Sequence, residues 1–186
     1  ILRIWDQTLE GDPPQGFDYG TEFTEEEINN ALRSENPRAV VPHVDEAGHG
    51  TFLAGVAAGY DRINGEYIGA APDAQLLVVK LKPAKQYLRD YYLIGDPGTS
   101  VYQSNDVVMA LKYIVETARE LGSPIAVVLG IGSNEGAHDG TAFTEAYMGE
   151  LGGRRGVVMV TSAGNEGNTA HHTSGNLSSG QLEDIE

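Results

Sequence analysis

The chain has 186 residues, 40% of them hydrophobic and 21% charged, which is the composition of one globular domain rather than of a disordered segment. Its formal net charge of −15 argues against a nucleic acid or an anionic membrane as partner. It contains no cysteine, which excludes disulfides and thiolate chemistry, and no apolar run approaches the roughly 20 residues of a membrane span.

The first forty residues predict a short strand and a capped helix. Residues 1–5 form an apolar run of strand length. Thr24, followed three residues later by Glu27, is typical of a capping box and predicts a helix through Leu32. The Asn-Pro-Arg sequence at residues 36–38 is expected to end that helix.

A histidine between two glycines precedes a run of small and apolar residues. Gly48 and Gly50 flank His49, and the sequence up to Ala58 predicts a tightly packed helix from about Gly50. The glycines would let a backbone or a substrate approach the imidazole closely. On this stretch alone, a catalytic histidine at a helix start and a core or capping histidine are both open.

Further along, three apolar runs of strand length alternate with two helical patterns. The predicted strands are residues 75–81, 124–129 and 157–161, and the predicted helices are 104–121, with Ser104 as N-cap, and 141–151. Nearly continuous apolar runs indicate strands buried on both faces, and the alternation indicates parallel pairing with right-handed crossovers. The expected fold is an open α/β sheet. Between the first two of these strands, residues 83–103 are predicted to be a long irregular excursion.

Two glycine-rich loops follow neighbouring strands of this predicted sheet. Residues 130–134 follow one strand and residues 162–167 follow the next, and each loop contains an asparagine. In open α/β sheets, sites gather at the carboxyl ends of the strands. The sequence therefore predicts two polar loops on one rim.

Three motifs now stand in order along the chain: Gly48-His49-Gly50-Thr51, Ala70-Ala71-Pro72-Asp73-Ala74, and Ser162-Ala163-Gly164-Asn165-Glu166-Gly167. Together they resemble the subtilases, the subtilisin-like serine peptidases. Residues 4–8 and 16–23, the His-Asp-Gly at 138–140 and the His pair at 171–172 are similar to the clostridial spore-germination (Csp-type) branch. The resemblance implies a subtilisin-like three-layer α/β fold with a mostly parallel sheet, present over residues 1–186 as a partial catalytic domain.

The resemblance also implies a function, that of a serine endopeptidase that hydrolyses peptide bonds through an acyl-enzyme. His49 would be the general base and then the acid, because a serine hydroxyl is a poor nucleophile until a neutral imidazole takes its proton. Asn165 would be the side-chain donor of the oxyanion hole, the alternative being a turn residue after a strand. The implied substrate-binding residues are Leu129, Gly130, Ile131, Gly132, Ser162, Ala163 and Gly164.

Two members of the triad are not found in the chain. The family order is Asp, His, Ser; the Asp motif belongs upstream of Ile1 and the Ser motif downstream of Asn165. We therefore expect the chain alone to be inactive. In the Csp-type branch a jelly-roll domain is inserted before the Ser, and this insert would begin near residue 182.

Three side chains could be mistaken for the missing triad members: Asp6 and Asp45 by their place in the chain, and Ser100, which lies between His49 and Asn165, by its sequence. Asp6 and Asp45 are acidic but lie outside an Asp-Ser/Thr-Gly motif, and Asp45 is expected to be a turn or cap residue before the His49 helix. Ser100 lies in a Gly-Thr-Ser sequence, but the small-residue helix that should follow is missing. We expect Ser100 to lie in a loop.

The competing hypothesis is a non-catalytic, pseudoprotease-type regulator or binding module on the same fold. The expected partners are a protein or peptide substrate and the protein's own propeptide, with no nucleic acid and no membrane, and the family suggests a secreted or spore-associated protein. The tyrosines of the excursion either line a substrate cleft or pack against the body; they are Tyr87, Tyr91, Tyr92 and Tyr102.

No cofactor is expected, and the metal-binding signals are weak. Subtilases often bind structural Ca²⁺, and an oxygen-rich turn is formed by Asp61, Asn64 and Glu66, but no calcium-loop pattern emerges. The spacing of the remaining histidines fits no metal motif, which favours surface or structural roles for His43, His138, His171 and His172.

Overall fold

The structure is a computed structural model that describes residues 1–61, 63–169, 175–176 and 178–180. Within these ranges the strands are β1 (Arg3–Asp6), β2 (Thr21–Thr24), β3 (Leu77–Lys80), β4 (Ile125–Leu129) and β5 (Val157–Thr161). The helices are α1 (Glu25–Arg33), α2 (Pro37–Val40), α3 (His49–Ala58), α4 (Gln86–Tyr91), α5 (Ser104–Glu120) and α6 (Phe143–Gly152). The predicted α/β class is confirmed. Among the described residues, the helices are too short or too polar to cross a bilayer.

In the described residues the strands form two sheets, where the sequence predicts one. In the first sheet, β1 pairs antiparallel with β2 and parallel with β3. In the second, β4 pairs parallel with β5. The helix α5 packs against both β3 and β4 and so joins the two sheets. Parallel pairing is confirmed, while the antiparallel edge strand β2 was not predicted.

Local sequence signals explain how several helices begin. The predicted capping box of α1 is confirmed, because Thr24 N donates to Glu27 Oε2 over 2.8 Å and Glu27 N donates to Thr24 Oγ1. Ser104 is the first residue of α5, and Gln103 holds the N-cap position instead. The short helix α2 begins at Pro37, whose fixed φ suits a first helical turn, where the sequence predicts only an end. The short helix α4 interrupts the predicted irregular excursion.

The main hydrophobic core lies between α5, α6 and the second sheet. Its buried side chains are Val107, Leu111, Val115, Val127 and Leu151. Burial of a side chain of this size contributes roughly 1.5–3 kcal/mol to folding. The cluster fixes β4, and with it the position of the loop at the carboxyl end of β4.

An aromatic cluster fastens the first sheet to α5. The indole of Trp5 is fully buried, and its ring centroid lies 4.7 Å from that of Phe17 and 5.2 Å from that of Tyr113. Trp5 Nε1 donates to the carbonyl of Tyr19 over 3.1 Å, and Tyr113 Oη donates to Glu22 Oε1 over 2.7 Å. Each buried polar atom of these rings therefore has a partner, and the cluster holds β1 against α5.

The other face of the second sheet is exposed, so the prediction of strands buried on both faces is wrong for β4 and β5. Val128 is 53% exposed and Val158 is 57% exposed. The helix α3 is apolar on all sides, yet none of its residues is buried within the described part of the chain. Helices of this composition are normally buried. The described residues thus leave two apolar surfaces exposed, one face of the second sheet and the helix α3.

Candidate active site

His49 is the first residue of α3, and its ring reaches the carboxyl end of β4. The N-cap residue Gly48 has φ 76°, a left-handed conformation that glycine adopts without strain. His49 Nε2 lies 2.8 Å from the carbonyl oxygen of Gly130. Because a carbonyl oxygen only accepts, Nε2 carries the hydrogen in this contact. Two motifs that lie 81 residues apart in sequence therefore meet at one imidazole.

The two predicted strand-end loops lie side by side. Ser162 N donates to the carbonyl of Leu129 over 3.3 Å, which joins the start of the second loop to the end of β4. Asn134 Nδ2 donates to Glu166 Oε2 over 2.7 Å, which joins the loops further along. Asn165 precedes Glu166 in this second loop and is exposed. The rim thus carries the imidazole at one loop and the amide in the adjoining one.

The predicted substrate-binding positions follow this rim. Leu129 and Ile131 pack partly against the main core, which orients the first loop. Gly130 accepts the contact from His49, and a Cβ at this position would collide with Leu53. Four predicted residues are exposed, namely Gly132, Ser162, Ala163 and Gly164. Their role in holding a substrate stays a prediction.

Asp45 caps the beginning of α3, as predicted. Its Oδ2 accepts from Thr51 N over 2.8 Å and from Thr51 Oγ1 over 2.7 Å, and its Oδ1 accepts from Gly48 N over 2.9 Å. The hydrogen bonds from Thr51, followed by that from Gly48, hold the pKa of Asp45 at about 2, against the ordinary aspartate value near 4. The carboxylate therefore serves the helix rather than the His49 ring.

Asp6 is likewise engaged away from His49. It is fully buried at the carboxyl end of β1, with Oδ2 lying 2.7 Å from His43 Nδ1 and Oδ1 accepting from Thr8 N over 2.9 Å. Burial is the largest influence and acts to raise the pKa of Asp6, but hydrogen bonds from His43 and Thr8 and the charge of Lys80 together lower it. The carboxylate is held in its ionised form. The pairing of Asp6 with His43 is a contact that sequence reasoning missed.

The model of the subtilase family matches residues 15–182. The chain belongs to the subtilase family. It is 33% identical over 129 residues to the major intracellular serine protease of Bacillus subtilis (strain 168), which covers 69% of this chain and 33% of that protein. It is 27% identical over 124 residues to the subtilisin of Bacillus sp. (strain TA39), covering 66% of this chain and 25% of that one.

A solved structure gives the same result for the fold of this subtilase chain. The CspB protease of Clostridium perfringens matches with a TM-score of 0.74 and 29% identity, over 91% of this chain and 32% of that chain. The predicted subtilisin-like fold and the resemblance to the Csp-type branch are thereby confirmed. The chain spans about a third or less of the length of these relatives.

Ser100 and the tyrosines of the excursion at residues 83–103 lie at the surface or in loops of this subtilase chain. Ser100 lies in a loop, as predicted, whose turn is closed by Gly98 N donating to Asp96 Oδ1 over 2.9 Å. Tyr87 and Tyr91 are exposed rather than packed against the body. Tyr92 Oη donates to Glu135 Oε1 over 3.3 Å, a contact not predicted from sequence that joins the excursion to the first strand-end loop.

The metal-binding signals can be placed in the same way. Among the described residues, no group of three or more His, Asp or Glu side chains is arranged to hold a metal ion. His138 Nε2 lies 3.0 Å from the carbonyl of Asn134, and Asp61 accepts backbone hydrogen bonds from the turn that follows it. The residues His171 and His172, and the predicted start of the insert near 182, lie outside the described residues.

The cap at Asp45 gives a first testable prediction. Asp45→Ala should lower the free energy of unfolding of the full-length protein by about 1 kcal/mol at pH 7, because three donors at the start of α3 lose their acceptor. A carboxylate whose pKa is lowered in the fold stabilises above its unfolded pKa near 4, and this stabilisation is lost as the pH falls towards 2. The difference between variant and wild type, measured by urea unfolding, should therefore shrink between pH 5 and pH 3.

Asp139→Ala is a matched control, because Asp139 Oδ1 accepts from Thr141 N and Oγ1 in the same way but far from α3 in sequence. Amide exchange at the first turn of α3 should accelerate in Asp45→Ala alone. Equal acceleration in the two variants would contradict the assignment of Asp45 as the cap.

Proposed function

We propose that the full-length protein is a serine endopeptidase in which His49 is the general base and then the acid. The observation that carries this proposal is the position of His49, at the start of α3 with its Nε2 at the carboxyl end of β4. The loop that adjoins this end carries Asn165. A base and an amide donor on one rim are the parts that acyl transfer requires from this portion of a subtilase.

In the proposed reaction His49 transfers one proton in each of two steps, acylation and deacylation. Its Nε2 takes the proton of a serine hydroxyl as the oxygen attacks the peptide carbonyl, and returns it to the leaving amine as the C–N bond breaks. A water molecule then attacks the acyl-enzyme while His49 takes its proton, and His49 returns that proton to the serine oxygen as the ester bond breaks and the acid leaves. Since Nε2 donates to Gly130 in the present arrangement, the base form requires the proton on Nδ1 and a turn of Nε2 towards the hydroxyl. An Asp upstream of Ile1 is proposed to accept the hydrogen bond from Nδ1.

Asn165 is proposed to stabilise the negative charge that develops on the carbonyl oxygen. An amide N–H directed at the oxyanion acts mainly in the transition state, because the ground-state carbonyl carries less charge. The bond from Asn134 to Glu166 supports this proposal, since it restrains the residue next to Asn165. A donor that is already positioned needs no reorganisation during the reaction.

The proposed substrate is a protein or peptide, with the protein's own propeptide as a further ligand of the same rim. Gly130 and Gly132 follow the end of β4 and, having no side chains of their own, are proposed to offer backbone to an extended chain. The relatives named above are proteases, and peptide hydrolysis is proposed here for the full-length protein on that similarity.

Covalent labelling tests the proposed function. A fluorophosphonate should react with a single serine of the folded full-length protein, and peptide mapping should place the label downstream of Asn165. A label on Ser100 would contradict the assignment of Ser100 as a loop residue. A folded full-length protein that takes no label would contradict the peptidase proposal and favour the pseudoprotease-type regulator.

A further inference from the structure

A short segment before α3 is attached to the end of β1 through a buried pair. This segment, residues 43–48, is called the strap. Its first residue, His43, places Nδ1 2.7 Å from Oδ2 of Asp6, whose side chain is 1% exposed while that of His43 is 19% exposed. Removing the partner of a buried carboxylate strongly destabilises the fold, because the charge is left buried and unpaired. The strap is therefore held firmly at this point.

A second attachment comes from the neighbouring strand. Lys80, the last residue of β3, lies opposite Asp6 in the parallel register. Its Nζ donates to the carbonyl of Val44 over 2.6 Å and to Glu46 Oε2 over 2.9 Å. Glu46 is exposed, so the ion pair contributes little, but the bond to the backbone of the strap is partly buried. Two adjacent strand ends thus hold one segment of six residues.

The strap in turn fixes the start of α3. Asp45 accepts hydrogen bonds from Gly48 and Thr51, which lie on either side of His49. In the described part of the chain no residue of α3 is buried, although several are half-buried and Leu53 lies against Gly130, so apolar packing fixes its position only in part. Polar contacts therefore hold the helix at both ends: the strap at the first turn, and Tyr67 Oη, which donates to the carbonyl of Gly55 over 3.1 Å, near the last.

We propose that Asp6 and His43 are positioning residues for His49. Their buried pair fixes the strap on the end of β1, and the strap fixes the first turn of α3 and the imidazole against Gly130. Neither residue touches the reacting atoms. The effect on catalysis rests on the proposed function, whereas the effect on the position of α3 does not.

Two substitutions of His43 distinguish the effect of losing the hydrogen bond to Asp6 from the effect of changing the size of the side chain. His43→Leu removes the donor to Asp6, whereas His43→Asn places an amide N–H close to the position of Nδ1. Glu150→Gln is the control, since it removes an exposed ion pair between Glu150 of α6 and Arg154, which follows that helix. The measurement is amide hydrogen exchange in the full-length protein, followed by mass spectrometry, at neutral pH.

In His43→Leu, the amides of residues 48–52 should exchange about tenfold faster or more, because the buried carboxylate of Asp6 loses its hydrogen-bond partner. Those of α5 should keep their wild-type rates. His43→Asn should recover most of the protection, and Glu150→Gln should change neither region. Unchanged exchange at 48–52 in His43→Leu would overturn the proposal. Equal acceleration in α5 would also overturn it, since it would show a general loss of stability.

Kinetics supply the readout that a merely structural role would not move. In an active full-length enzyme, His43→Leu should lower kcat about 10- to 100-fold while KM stays within about twofold, because a misplaced base harms the chemical step more than binding. His43→Asn should restore kcat. An unchanged kcat in His43→Leu, with α3 loosened, would overturn the positioning role. If the wild type hydrolyses no peptide, the proposed function fails, and the exchange data alone decide on the strap.

Discussion

His49→Ala in the full-length protein should lower kcat for peptide hydrolysis by about 10⁶-fold, a scale set by subtilisin itself within this family. The variant leaves a serine hydroxyl with no group to take its proton in acylation, and no acid to protonate the leaving amine. Fluorophosphonate labelling should slow in parallel, because the same hydroxyl is the nucleophile. The measurements are initial rates on a chromogenic peptide and the second-order labelling rate.

His138→Ala is the matched control for this substitution. His138 is also an exposed histidine whose Nε2 contacts a backbone carbonyl, that of Asn134 at 3.0 Å. Its rate should stay within about twofold of wild type, since the contact lies on the surface and outside the proposed reaction. A rate for His49→Ala within tenfold of wild type, in a protein that unfolds at the wild-type urea concentration, would contradict the role of His49 as base.

The sequence predicts best those features that depend on neighbouring residues. Thr24 and Glu27 form the predicted capping box because both partners lie within one helical turn. The apolar periodicity of residues 107–115 correctly places one face of α5 against the core. The sequence does not predict the short helix α2, because a Pro after a helix indicates a stop, although Pro suits the first turn of a helix equally well.

Burial is predicted less well, because the apolar pattern reflects everything that covers a strand or helix. β4 is apolar at every position and β5 at all positions but Thr161, yet α5 and α6 cover only one of their faces in the described residues. The helix α3 shows the same discrepancy. The relatives have most of their length outside the match, so a subtilase of their size has further chain available to cover such surfaces.

In the candidate site, too, the residues in local motifs are predicted from the sequence, whereas the tertiary contact between Asp6 and His43 is not. His49 and Asn165 lie in glycine-rich motifs that are visible in the sequence, and parallel topology predicts a common rim for the two strand-end loops. The pair of Asp6 and His43 joins residues 37 positions apart. The spacing of Asp6 and His43 in the sequence does not predict that they pair, because the contact depends on where the strap crosses the end of β1. For His43 the sequence favours a surface or structural role, and it does not predict the contact with Asp6.

Asn165→Ala should lower kcat by roughly 10²–10³-fold with KM nearly unchanged, a magnitude that again comes from subtilisin within this family. The amide N–H is proposed to act on charge that exists only in the transition state, so its loss should spare ground-state binding. Burst kinetics with an ester substrate would show that acylation, rather than product release, has slowed. Asn64→Ala, at an exposed turn after Asp61, is the control and should keep wild-type kcat.

Asn165→Gly separates the oxyanion role from the alternative of a turn residue. Glycine tolerates every turn conformation that asparagine adopts, so a turn residue could be replaced by glycine at almost no cost in stability or rate. An oxyanion donor could not, because the backbone would be kept while the N–H group is lost. We expect Asn165→Gly to lose as much kcat as Asn165→Ala while its urea unfolding stays that of wild type. Retained activity in Asn165→Gly would assign the residue to the turn after β5 and leave the oxyanion without this donor.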